Sequence, residues 1–445
     1  MSPAETRRCA GLTLVETLVV AFLFSGLMLA SLALWDSATR VNKNEIEIAD
    51  AQGSLRFGLH QIARVVRTAG AGGLFVTQAV MIRPDPGLPG VAASPDADYD
   101  NVVGGTVTDL AGKNVPVRPG TDILEVRGVL FSPLLALDAT SGCGSCAGLS
   151  ELSVKSMTET GHVNDDPRRR ARFSEIDSYT AGVSGQNPMF VVVAQGDDLH
   201  AGCSDGSAGF SPMPPQPSYR VGLLTNPTRL AGAGTFGTVD FSDPLAREFS
   251  TEDPRDSPPQ TDPPVEALRR AGILDDVLYF IDNTDPAHPA LAQALRRGRR
   301  FDVVSVAEDV EDLQVAYGVD GLYGSDGVPA DGVLGRLVAA TESDPDLEVS
   351  TRADGDEWAP NVEGESLFAT TDFRSGAHCP ALQAVRIAMV AKAHDPDPRF
   401  RGRGALGLRA MNSPREVRDY GPQAPRYRRR CQTVTVSLRN FGRTG

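Results

Sequence analysis

The hydrophobic pattern has one long apolar block at its start and short strand-like runs afterwards. From Leu12 to Trp35 there are 24 residues with one ionisable side chain, Glu16. At 1.5 Å per residue that is about 36 Å of helix, enough to cross a bilayer core of about 30 Å. The block then gives way to a stripe. Ile46, Ala49, Leu55, Leu59, Ile62, Ala63 and Val66 recur at helical spacing among charged neighbours. No proline occurs between Pro3 and Pro84, and Gly70, Gly72 and Gly73 supply a stop. The pattern predicts one helix over 12–69, about 87 Å long if wholly helical. Its first half needs lipid or other helices around it, and its second half can pack on a head domain.

Beyond residue 73 the period changes. Runs at 123–130, 189–194, 219–224, 277–282, 303–306, 313–317, 382–393 and 433–438 read as strands, with Gly, Pro and Asp between them. Two stretches, 84–100 and 196–264, read as surface insertions, the second broken only by the run at 219–224. The expected fold is α+β: a long N-terminal helix, transmembrane in its first half, packed on a mainly antiparallel β-sheet head with long loops. The corresponding segments are a leader over 1–11, a membrane or core helix over 12–35, the rest of the helix over 36–73 and a β-rich head over 74–445.

Composition narrows the function. Gly 45 and Pro 32 in 445 residues fit a loop-rich head. Asp+Glu 57 against Lys+Arg 43 gives a net charge of −14, which weighs against a general nucleic-acid binder. The Arg-rich stretch 399–430 is diluted by acids and reads as a solvated loop, so no nucleic-acid partner is expected. No G-x-S-x-G, H-E-x-x-H, P-loop or Rossmann glycine run is present, and no residue is assigned a catalytic role.

Glu16 is the informative residue. Arg7 and Arg8 precede the apolar block, which keeps the leader cytoplasmic and sends the remainder across. A secretory signal would carry its small-residue cleavage site after the apolar run, whereas Gly11 precedes it. A carboxylate inside a membrane segment costs free energy and marks function. If the chain is cut after Gly11, Leu12 gains an α-amino group that can neutralise Glu16 on a neighbouring helix. Low dielectric strengthens such a pair and desolvation opposes it.

The run Gly11-Leu12-Thr13-Leu14-Val15-Glu16-Thr17-Leu18-Val19-Val20 resembles the N-terminal motif of type IV pilins and pseudopilins. The resemblance implies that a prepilin peptidase cuts between Gly11 and Leu12 and methylates Leu12. It also implies that Glu16 pairs with an adjacent subunit's N-terminus during assembly. Leu12 stands where Phe is commoner, and Thr17 where Leu is common. Further on, the segments 61–73, 310–320, 385–390 and 428–440 are similar to the helix end, a central strand and the last two strands of PilW-type minor pilins. That branch implies a subunit of the bacterial inner membrane with its head in the periplasm, later part of a pilus. Its partners would be the peptidase and other major and minor pilins. A minor pseudopilin of type II secretion, J-like, is the nearest alternative. A membrane-anchored extracytoplasmic enzyme and an adhesin are the others.

Cys9 would leave with the leader. Of the remaining five cysteines, Cys143 and Cys146 could close a small loop, and Cys379 and Cys431 each precede a late strand and could staple neighbours. Cys203 is left over. Asp320, Asp326 and Asp331 lie in a Gly-rich turn without EF-hand spacing, which fits ordinary Asp-Gly turns better than calcium. No cofactor is otherwise expected.

Overall fold

The structure is a computed structural model. It describes residues 13–71, 80–83, 105–131, 135–136, 149–153, 189–195, 219–227, 235–241, 268–297, 300–320, 358–360, 381–397, 400, 405–407, 417–419 and 427–438. The expectations for Gly11, Leu12, Gly72, Gly73, Asp326, Asp331, Cys143, Cys146, Cys203, Cys379 and the loop 84–100 lie outside these residues. The chain divides into two compact units, Met1–Asp50 and Ala51–Gly445.

One helix, α1 (Leu14–Val66), runs through the predicted span. In the first unit its apolar side chains, from Leu14 to Trp35, are exposed. The turn after Trp35 carries an Asp36–Arg40 ion pair at 2.6 Å, where the sequence becomes polar. In the second unit Ala51, Leu55, Gly58, Leu59, Ile62, Ala63, Val65 and Val66 are buried. This corrects the predicted stripe at its start. Ile46 and Ala49 stay exposed, and the buried face begins at Ala51. The helix closes through Thr68 N–H to Val65 O (2.9 Å) and Ala69 N–H to Val66 O (3.1 Å). Gly70 follows in the left-handed region (φ 73°) and donates its N–H to Arg127 O at 3.0 Å.

The described strands are numbered in chain order. The first six are β1 Val80–Arg83, β2 Thr106–Thr108, β3 Asn114–Pro116, β4 Ile123–Gly128, β5 Leu135–Ala136 and β6 Leu149–Ser153. Next come β7 Met189–Gln195, β8 Tyr219–Pro227, β9 Thr235–Asp240, β10 Leu268–Asp282, β11 Ala290–Arg297 and β12 Arg300–Glu308. The last are β13 Val310–Asp320, β14 Trp358–Pro360, β15 Ala381–Lys392, β16 Ala405–Gly407, β17 Val417–Asp419 and β18 Arg429–Ser437. The larger sheet has the order β1-β4-β10-β7-β8-β9-β6, with β5 and β11 also on β10, and β12 on β11. The smaller sheet is β14-β13-β15-β18. Their ladders are antiparallel, as expected. Each of the eight predicted runs falls within or largely over a strand. The stretch 196–264 is corrected: β8 and β9 sit inside the larger sheet, so that region is not insertion alone.

Strand β10 organises the second unit because its alternate residues face two cores. Val277, Tyr279 and Ile281 join α1 residues in one cluster, together with Leu313 and Val315 of β13 and Val385, Ile387 and Met389 of β15. Both sheets therefore bury their inner faces against the same helix face. Leu278 and Phe280 point the other way, into a smaller cluster with Val107 and Val115 of the β2–β3 pair. Gly128 permits the close approach of β4 to the helix exit. A Cβ there would lie 3.1 Å from the backbone nitrogens of Gly70 and Ala71.

Candidate functional site

Thr13 and Glu16 form a reciprocal cap at the start of α1. Thr13 N–H donates to Glu16 Oε2 at 2.9 Å, and the Thr13 hydroxyl donates to the same oxygen at 3.0 Å. Glu16 N–H donates to Thr13 Oγ1 at 3.3 Å. Thr-x-x-Glu is the capping-box spacing, in which two orphan N–H groups of the first turn are satisfied by side chains. An anion at this end also faces the positive pole of the helix. Sequence reading singles out Glu16 for its charge and misses this local partner, although the Thr-x-x-Glu spacing is present in the sequence.

In the following turns two hydroxyls bond back to the helix backbone. Thr17 Oγ1 donates to Thr13 O (3.3 Å) and Ser25 Oγ to Ala21 O (2.8 Å). Such back-bonding lets hydroxyls sit in an apolar medium. The helix is long and apolar enough to cross a membrane. Its exposed stripe runs on all sides: Leu14, Phe22, Leu27, Leu29 and Leu34 are each at least 69 % exposed. A surface of that kind needs lipid or other apolar helices.

The second unit carries two charged groupings that the sequence did not announce. Glu125 and Arg127 on β4, Asp276 on β10 and Arg296 on β11 share one face of the larger sheet. Arg127 Nη2 lies 2.7 Å from Glu125 Oε1 and its Nε 3.5 Å from Asp276 Oδ2, with Arg296 Nη1 at 3.4 Å from the same oxygen. Burial, with Glu125 adding to it, pushes the Asp276 carboxyl up to about 7, while Arg127 and Arg296 pull the other way. This is a buried structural network on a sheet face.

The other grouping collects three turns at one end of the strands. His288 lies between β10 and β11, Asp309 is the turn between β12 and β13, and His394 follows β15. His288 Nδ1 meets Asp309 Oδ1 at 2.9 Å, and His394 Nδ1 meets Asp309 Oδ2 at 2.8 Å. The two rings stack with centroids 4.1 Å apart. The Asp309 hydrogen bond holds the His394 imidazole above its usual value, slight burial works against it, and the charges of Asp309, Asp395 and Glu308 reinforce the rise. Asp309 has a left-handed backbone (φ 56°), and its carbonyl accepts Lys392 N–H at 2.9 Å. The Lys392 ammonium donates to Ala287 O and lies over the Tyr427 ring at 4.5 Å. In sequence the two histidines are 106 positions apart, yet each sits in an Asp/Pro turn just past a strand, Asp285-Pro-Ala-His288-Pro289 and His394-Asp-Pro396. That shared context was the available signal.

Of the remaining predicted residues, Asp320 ends β13, and Cys431 lies half-buried in β18, where its neighbour across the ladder is Val390.

A long helix, apolar and exposed at its start and buried among antiparallel sheets at its end, makes this an α+β arrangement. Residues 278–440 match the family model of PilW, type IV pilus-assembly protein W. The resemblance read in the segments 310–320, 385–390 and 428–440 therefore holds over the last third of the chain. A type IV-like pilin from Thermus thermophilus shares 11 % identity over 61 % of this chain and 96 % of its own, with a TM-score of 0.20, too slight a likeness to carry an argument. No curated protein matches the sequence.

Proposed function

We propose that this chain is a minor pilin that takes part in assembling or priming a type IV pilus. A prepilin peptidase cuts after Gly11 and methylates Leu12. The subunit waits in the bacterial inner membrane, its head in the periplasm, and its apolar helix then leaves lipid for a bundle of like helices in the filament. The observation that carries this reading is the conjunction of a helix whose acid-capped first half is apolar and exposed with a match of residues 278–440 to the PilW family model. The family match favours pilus assembly over the type II secretion alternative. The leader is residues 1–11, the core helix 12–35, the rest of the helix 36–73 and the head 74–445.

Glu16 has two tasks in this scheme. In the separate subunit its Oε2 caps α1. During assembly the carboxylate meets the methylated amine of a neighbouring Leu12 and fixes the register. Two substitutions separate these tasks. Gln retains the capping geometry and loses the charge; Ala loses both. We expect Glu16→Gln and Glu16→Ala both to be processed at Gly11 yet to be depleted from sheared filaments. Incorporation of Glu16→Gln at the wild-type level would leave the residue a cap only and remove the charge from the mechanism. Mass spectrometry of the mature subunit should find methylated Leu12 at the N-terminus, and retention of residues 1–11 would overturn the scheme.

A further inference from the structure

The geometry at His288, Asp309 and His394 points to a site for one divalent first-row transition ion, of the zinc class, on the head. The candidate ligand atoms, the Nδ1 of each histidine and a carboxylate oxygen of Asp309, all lie within 4.8 Å of one another. In the absence of an ion each ring donates its Nδ1–H to a different oxygen of the same carboxylate. An ion binds the tautomer with Nε2–H, so each ring's Nδ1 proton moves to Nε2 through solvent and both Nδ1 lone pairs then face the ion. Tetrahedral zinc with Zn–N near 2.0–2.1 Å sets its ligand atoms about 3.3 Å apart. The two Nδ1–carboxylate contacts, 2.9 and 2.8 Å, are shorter than that spacing and the outer limit of 4.8 Å is longer, so the rings turn to bring the three atoms to one spacing. Their half-exposed and exposed settings leave room for that shift.

The donor set chooses the ion. Two imidazole nitrogens and one carboxylate suit zinc, nickel, cobalt or copper, whereas calcium and magnesium need an oxygen cage. Three protein ligands leave an open position for water or for a side chain of a neighbouring molecule. The backbone supports the same reading. A turn with φ 56° would take glycine without strain, yet this one holds an aspartate whose side chain is 13 % exposed and meets both rings. Glu308 and Asp395 add negative charge around His394, which favours a cation. Bound, the ion would tie the turns 283–289 and 393–394 to the β12–β13 turn, fastening the larger sheet to the smaller one.

The test uses the full chain in detergent micelles, stripped with a chelator and titrated with zinc chloride by calorimetry. A parallel titration with cobalt(II) reads the visible d–d bands. Wild type should bind one equivalent, gain thermal stability and show cobalt bands of a nitrogen–oxygen site. His394→Gln alters an exposed side chain, and Asp309→Asn retains a residue suited to the left-handed turn. Each should lower zinc affinity by at least the roughly 10–100-fold that losing an outer-shell partner costs, with unchanged circular dichroism. Two results overturn the proposal: no saturable binding by wild type, which leaves a metal-free His–Asp–His clasp, or one-equivalent binding that survives in a folded His288→Gln/His394→Gln chain.

Discussion

Replacing Asp276 by Asn should change how the stability of the head depends on pH, and in an unusual direction. In the folded chain this carboxyl titrates near 7, because it is buried beside Glu125. In the unfolded chain it titrates near its ordinary value of about 3.9. Between those values the folded state holds a proton that the unfolded state has released. Unfolding free energy then falls as pH rises, by up to 1.36 kcal/mol per pH unit for one proton, and levels off above the folded value. Integrated from pH 5 to pH 7, this group's contribution drops by about 2 kcal/mol. Asparagine keeps the shape and carries no titration. Urea unfolding of both chains in micelles, followed by far-UV circular dichroism, reads the titration Asp276 shares with Glu125, because the more distant carboxyls cancel in the difference. The variant should gain about 2 kcal/mol on wild type between pH 5 and pH 7. A difference that stays constant over that range, or moves the other way, would refute the claim that Asp276 is held protonated by burial.

Two further outcomes test the core. Leu55→Ala opens the contact between α1 and both sheets at a residue 1 % exposed and should cost roughly 2–5 kcal/mol. Leu29→Ala, on the exposed apolar stretch, should leave unfolding of the head unchanged in the same urea titration; equal losses for the two would contradict the division of the helix face. Tyr279 is fully buried with no partner for its hydroxyl among the described residues, and burial raises its ionisation well above the ordinary phenol value. Tyr279→Phe should therefore be neutral or stabilising by about 1 kcal/mol, and a clear loss of stability would reveal an unseen partner.

The helix and the central strands were legible because their apolar runs are strong. The apolar block at 12–35 reads as one long helix, and the run at 277–282 is apolar at five successive positions, which suits a strand buried on both faces between the two cores around β10. The failures have local causes. Ala290–Arg297, with the sequence Ala-Leu-Ala-Gln-Ala-Leu-Arg-Arg, is made of good helix formers, yet it is a strand. It is held between β10 and β12 by two antiparallel ladders, so tertiary pairing overrides its propensity. Thr235–Asp240 was hidden in a stretch dominated by Gly, Pro and Ser, and its place comes from pairing with β8 and β6. The His288–Asp309–His394 grouping could not be read from spacing, because strand order, not sequence distance, brings its turns together.

The helix explains why one chain needs two kinds of surroundings. Its second-unit face has a stripe of Ala, Leu, Ile and Val matched to two sheets, so its hydrophobic burial is already complete within the chain. Its first-unit segment has no such stripe. Leu14, Val15, Leu18, Val19, Phe22, Leu23 and Phe24 cover every side of the cylinder, and none of them is buried. An all-round apolar helix cannot be satisfied by one sheet, which would cover one side of it. It fits lipid, which is isotropic, or a ring of similar helices. Moving between those two media changes little hydrophobic free energy, since lipid tails and leucines are equally apolar. Direction and register must then come from polar groups. Within this segment Glu16 is the ionisable candidate for that role, and for that reason the charge-only substitution at this residue carries more weight than any change to the apolar positions around it.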